Sequence, residues 1–250
     1  MSLRKLYAPA LLFSLSLLFA PRSLAQTDAR TQVAGDVARL HAEIEALGAR
    51  IEQKEAELLD APAEDKRAFA GFLTRPGTGL IRLLPRGAYD LYVNGDGAYY
   101  SFTRRSHDYG RGSDVEFEAE FFHVGFAGAD FGLFVSLGDV PLEVVGAETV
   151  GVGPLAELEV PTDTAKAREQ YMRSLRGFES EGRSYRKEAA VAVNNTYVVR
   201  SVNYGESDVL AAFRVVRKDS DGSVILLWKI LKEYPKPELL KMERDTATCQ

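Results

Sequence analysis

Tyr197-Val198-Val199-Arg200-Ser201-Val202-Asn203-Tyr204-Gly205-Glu206-Ser207-Asp208-Val209 reads as a β-branched run, a Tyr-Gly turn, and a second run that opens on Ser-Asp-Val. Valine and the aromatics suit a pleated strand, and glycine accepts backbone angles that a Cβ forbids. The stretch therefore predicts two antiparallel strands joined at Gly205. The same order recurs about 95 residues earlier, with an aromatic run from Tyr99, Tyr109-Gly110, one extra residue, and Ser113-Asp114-Val115.

Both stretches continue alike. Strand patterns cover Val115–Val124 and Val209–Val216, turn-rich segments follow at Gly125–Asp130 and Lys218–Gly222, and apolar runs end near Leu137 and Leu231. Self-similarity of this kind is the mark of an internal repeat. The expected fold class is α+β: an N-terminal helix, then an antiparallel β-rich body, sandwich or barrel, made of two similar β units joined by a short helix. Pro161-Thr162-Asp163 supplies the start of that helix and Ala165–Leu175 its length. Further strands are expected at Tyr89–Val93, closed by Asn94-Gly95-Asp96-Gly97, and at Tyr99–Arg104, Phe131–Leu137 and Leu142–Val145. Asp114 and Asp208 are expected to hold nearby amide groups. With Tyr99, Tyr109 and Tyr204 they form the candidate binding set, because tyrosines build platforms for sugars and peptides as well as cores.

Ahead of the β region, Thr27 to Leu58 contains no proline. Val33, Val37, Leu40, Ile44, Leu47, Ile51 and Leu58 fall at alternating steps of four and three until Lys54 interrupts. That is a heptad seam, with Val37, Ile44, Ile51 and Leu58 at position a and Leu40, Leu47 and Lys54 at d. The pattern follows the β-branched-a, leucine-d preference of parallel two-stranded coils, in which Arg50 at g would meet Glu55 at e of a partner. The candidate oligomerisation residues are thus Val37, Leu40, Ile44, Leu47, Ile51 and Leu58. They serve either self-association, a protein partner, or docking on the chain's own sheet. Leu59-Asp60-Ala61-Pro62 ends the helix, since the residue before proline leaves helical geometry.

The first residues carry Arg4 and Lys5, an apolar run from Leu6 to Ala20, and Ser23-Leu24-Ala25 with small residues at −3 and −1. This is the pattern of a secretory signal peptide cleaved before Gln26. The apolar run is too short for a bilayer span, which takes about 20 residues, and it contains Pro9. The expected location is periplasmic or extracellular, with no stable membrane span once the leader is gone. Loss of the leader's three cations and no acid takes the net charge from −5 to −8. That sign disfavours nucleic acid and anionic membranes as partners. Cys249 is the sole cysteine, so no disulfide forms within the chain.

No catalytic motif emerges. His41, His107 and His123 are the only imidazoles, and neither HExxH nor CxxC nor G-x-S-x-G occurs. Asp219-Ser220-Asp221-Gly222 opens like a calcium loop but continues into Ser223-Val224-Ile225-Leu226-Leu227 without the bidentate glutamate. An Asp-Gly turn explains it. Glu116, Glu118 and Glu120 alternate with Val115, Phe117 and Ala119 and are expected on a solvated strand face. Asn194-Asn195-Thr196 matches the glycosylation acceptor pattern, and Trp228 is expected in the core. No cofactor or metal is expected, and an enzyme is the less favoured reading. The domain plan is 1–25 signal peptide, 26–64 helix, 65–160 first β unit, 161–185 connector, 186–235 second β unit and 236–250 tail. The function expected is that of an exported non-catalytic binding or scaffold protein. The alternatives are a small-ligand or carbohydrate module using exposed tyrosines, and a hydrolase with a site that needs a pocket around His107, His123, Glu118 or Asp114.

Overall fold

The computed structural model describes residues 22–92, 95, 97–107 and 112–240, with side chains from Asp28 onward. Most of the expected signal peptide, Tyr109, the Gly110 turn and Cys249 therefore lie outside the described residues. By contacts the chain divides between Arg50 and Ile51.

Helix α1 runs Arg22–Leu59. It stops where the Pro62 rule places the stop, and α2 (Ala63–Ala68) and α3 (Ala70–Leu73) follow directly. No helix among the described residues is long and apolar enough to cross a membrane.

The body is two antiparallel sheets and no closed barrel. The larger takes β1 (Thr78–Leu83), β5 (Phe131–Gly138), β6 (Phe178–Ser180), β7 (Arg183–Arg186), β9 (Thr196–Asn203), β10 (Ser207–Lys218) and β11 (Val224–Glu233), in the order β1-β11-β10-β9-β5-β7-β6. The smaller takes β2 (Tyr99–Tyr100), β3 (Val115–Glu118), β4 (Phe121–His123) and β8 (Glu188–Ala190) in the order β2-β3-β4-β8. Neither order closes on itself, which leaves β1, β6, β2 and β8 as edges.

Period-2 alternation then sorts the central strands into two cores. On one face of the large sheet Tyr197, Val199, Val209, Ala211, Phe213, Val215, Leu226 and Trp228 meet Tyr100, Phe102, Phe117 and Phe122 of the small-sheet layer. On the other, Val198, Leu210, Ala212 and Leu227 meet Phe72, Leu142, Val152 and Leu155. All eight β9 residues are buried, as expected for a strand covered on both faces. Trp228 lies in the first core as expected, its indole packed so close to Gly79 that a Cβ there would meet Nε1 at 2.5 Å.

Several expectations need correction. The pattern Val115–Val124 is not one strand: Ala119 (φ 45°) and Glu120 (φ 73°) fold it into the β3–β4 hairpin, with Glu118 opposite Phe121. Gly125 (φ 77°) next redirects the chain into the other sheet, where a Cβ would sit 2.9 Å from the Phe131 Cα. The later stretch instead runs β9, β10 and β11 as neighbours in a single sheet. Val209 faces Ser201 across the turn after Asn203, whereas Val115 faces Tyr100 across residues 101–114. The two similar sequences thus follow unlike ladders over the described residues. Tyr89–Tyr92 forms no strand, Tyr99–Arg104 keeps only Tyr99–Tyr100 plus a Ser101–Ser106 bridge, and Leu142–Val144 is a 3-10 turn after Pro141. A helix lies at the expected Ala165–Leu175, α5 (Thr164–Arg176), N-capped by Asp163 accepting from the Lys166 N–H at 3.0 Å, but the 161–185 connector then continues into the β6–β7 hairpin of the large sheet.

Candidate functional site

The two aspartates of the Ser-Asp-Val stretches are both buried, in different chemistry. Asp114 donates its own backbone N–H to Tyr100 O (2.8 Å), and its carboxyl accepts from neutral donors. Its Oδ2 accepts from Phe102 N (2.8 Å) and Ser101 Oγ (3.4 Å), and its Oδ1 accepts from Asn203 Nδ2 (3.2 Å). Burial pushes this carboxyl up to about 6, against the pull of those hydrogen bonds. Because Asn203 belongs to the large sheet, this network ties the two sheets together.

Asp208 is held by a cation. The Arg200 fork donates from Nε to Oδ1 at 2.5 Å and from Nη2 to Oδ2 at 2.9 Å, and its Nη1 donates to Leu155 O and Ala156 O at 3.4 Å each. The Tyr234 ring covers the guanidinium at 3.1 Å, and its hydroxyl donates to Ala156 O at 2.7 Å. Burial raises the Asp208 carboxyl while the Arg200 bonds oppose the rise. The segment carrying α4 (Gly153–Ala156) is thereby fastened to the sheet. Both aspartates are buried.

Of the candidate tyrosines, Tyr99 and Tyr204 lie among the described residues, and neither is exposed. Tyr99 is buried, with its ring edge-on to Phe126 at 5.4 Å. Tyr204 is half-buried and donates its hydroxyl to Pro161 O at 2.6 Å. Burial first, then the Asp130 and Asp208 carboxylates, push that phenol up to about 12.

Among the described residues, two of the open cavities lie near candidate groups. One of about 370 Å³ lies between Ala56–Ala61, Leu80–Ile81 and Tyr100, Arg105 and His107. His107 Nε2 stands 2.8 Å from Arg82 O, so that nitrogen carries its proton and donates it to the carbonyl. The other, about 870 Å³, runs between the 154–161 segment and α5 and is lined by Lys166, Arg173 and Arg176 as well as Glu157, Glu159 and Glu169. His123, Glu118 and Asp114 line neither cavity, so the cluster a hydrolase needs is not assembled in them.

Carboxylates with metal-site overtones have partners of their own. In the Asp219–Gly222 turn, Asp219 takes Arg217 (2.5 Å) and Arg82 (3.3 Å), while Asp221 takes the Ser223 N–H (3.0 Å) and hydroxyl (2.6 Å). Glu116 is buried rather than solvated, 3.0 Å from Arg86, and Glu120 at the hairpin tip pairs with Lys218. Among the described residues, no group of three or more His, Cys, Asp or Glu is arranged to hold a metal ion.

No family model, curated protein or solved structure matches this chain.

The helical seam is different from everything above, because its apolar groups face outward. Val33, Val37, Leu40, Ile44, Leu47 and Ile51 are 39 to 64% exposed. Below Ile51 the seam changes character: Leu58 is half-buried and Leu59 buried against Gly97 and Leu84. Glu55, expected to reach a partner's Arg50, is 5% exposed and accepts the Tyr92 N–H within its own chain. Sequence reasoning missed that bond because Tyr92 lies in an irregular loop 37 residues away.

Proposed function

We propose that this chain is an exported, non-catalytic interaction protein that self-associates through the outward seam of α1 and presents its β body as a folded platform. The observation that carries the reading is the run of six large apolar side chains, at heptad spacing, left in solvent along α1 downstream of Gln26. Exposed apolar surface concentrated in one patch marks a contact surface. An isolated helix gains most of its stability from packing that face. The leader sequence supports export, and the β body supports a non-catalytic role, since its buried polar groups are engaged in holding sheets and loops together.

The test is light scattering on the purified chain beside Leu40→Asp/Ile44→Asp. The parent is expected at twice the chain mass and the variant at the chain mass, with the near-ultraviolet circular dichroism of Trp228 unchanged. A parent that runs as a monomer, or a variant that stays dimeric, overturns the reading. N-terminal sequencing of exported product is expected to begin at Gln26.

A further inference from the structure

We infer that the occupant of the α1 seam is a second copy of this chain running antiparallel, not parallel, an inference that rests on the self-association reading above. A two-stranded seam can pair its a and d residues in either direction, and the flanking e and g residues decide between them. In a parallel pair each Arg50 looks to Glu55 of the other chain. That carboxylate is already buried and engaged by the Tyr92 N–H of its own chain. Leu58, the last a residue, is likewise half-buried. A parallel coil would therefore have to continue, past the like-charged Lys54 layer, into groups that the chain itself has used.

Reversing one helix removes the conflict. Val33 then meets Ile51 of the second copy, Val37 meets its Leu47, and Leu40 meets its Ile44, each layer occurring twice by symmetry. The apolar block begins at Val33 and ends at Ile51, which are the limits of the exposed seam. The like-charged layers, Arg30 against Lys54, fall outside it at the two ends, where the helices can splay. Antiparallel pairing sets g against g, so Asp36 faces Arg50 of the second copy at both ends of the block. The central g pair, Glu43 with Glu43, opposes association; Arg39, which pairs with Asp36 of its own helix at 3.3 Å at an exposed site, also lies 3.9 Å from Glu43. The e positions bring His41 to His41 and Ala34 to Gly48, which are small or singly placed groups.

Disulfide trapping reads the direction. In a Cys249→Ser background, Val37→Cys and Leu47→Cys are made as separate chains and oxidised gently, alone and after mixing by unfolding and refolding. The expected result is a covalent dimer in the mixture and little or none from either chain alone. Self-linking of Val37→Cys alone overturns the antiparallel pairing and leaves the self-association reading standing. A non-covalent dimer that links in neither arrangement places the contact elsewhere and overturns the inference. A monomeric parent overturns the reading beneath it. As a second readout, Asp36→Arg and Arg50→Asp are each expected to weaken the dimer several-fold and together to restore it, an exchange that a parallel pair would not rescue.

Discussion

Ser113-Asp114-Val115 and Ser207-Asp208-Val209 are identical in sequence, begin strands and bury their aspartates, yet they solve the cost of burial in opposite ways. Asp208 keeps a cation within 2.5 Å and has its charge balanced by the Arg200 fork. Asp114 accepts from amide, hydroxyl and carboxamide donors, and burial raises its affinity for the proton against those bonds and the Arg104 charge. A short motif thus sets where a strand begins. What surrounds its side chain is set by the partners its strand meets: Phe102 and Asn203 in one case, Arg200 and Tyr234 in the other.

The comparison breaks most sharply at Arg200. Arg200→Ala leaves a buried carboxylate unpaired and also removes the bonds to Leu155 and Ala156, so the expected loss is about 3 to 5 kcal/mol in urea unfolding. Arg200→Met with Asp208→Leu should recover most of it, because deleting both charges removes the desolvation cost along with the attraction. Failure of the double variant to recover would show that the α4 carbonyls, rather than Asp208, are what Arg200 chiefly serves.

Asp114 gives a smaller effect with a pH signature. Its folded carboxyl titrates near 6 against an ordinary 3.8, so the folded state binds the proton more tightly than the unfolded one. Its contribution to stability is largest below about pH 4, falls as pH rises from about 4 to about 6, and is flat above. The span is about 3 kcal/mol. Asp114→Asn cannot titrate, so the difference in unfolding free energy between parent and variant should move against the parent by that amount between pH 4 and pH 7. A gap independent of pH would mean that Asp114 stays ionised throughout.

These contrasts show which parts of the fold are local. The β9–β11 meander was legible because β-branched runs, Tyr204-Gly205 and Asp221-Gly222 each specify their own geometry within a few residues. The ends of α1 and α5 were legible because Pro62 and the Asp163 cap act on their immediate neighbours. What escaped depends on distance. β1 pairs with β11, at the other end of the sequence, and Glu116 is buried under Arg86. Of the candidate site, the seam could be counted off the sequence, but its lower limit is set by Glu55 meeting the Tyr92 N–H, a contact with no sequence signal.

The smallest effect tests why the first stretch departs from the second. At Ala119-Glu120 the chain reverses with two positive φ values on residues that carry a Cβ, whereas β10 passes straight through the corresponding positions. Turns of this hand favour Asn-Gly, and left-handed geometry costs an ordinary L-residue roughly 1 to 2 kcal/mol. Ala119→Asn/Glu120→Gly should therefore raise stability by about 1 kcal/mol, reduced by loss of the Lys218 pair, which at this exposed tip is worth little. Thermal unfolding of this variant measures the gain. A loss instead would mean that residues 115–124 reach an extended, β10-like path once the hairpin is altered, and that the two similar sequences are held apart by this turn alone.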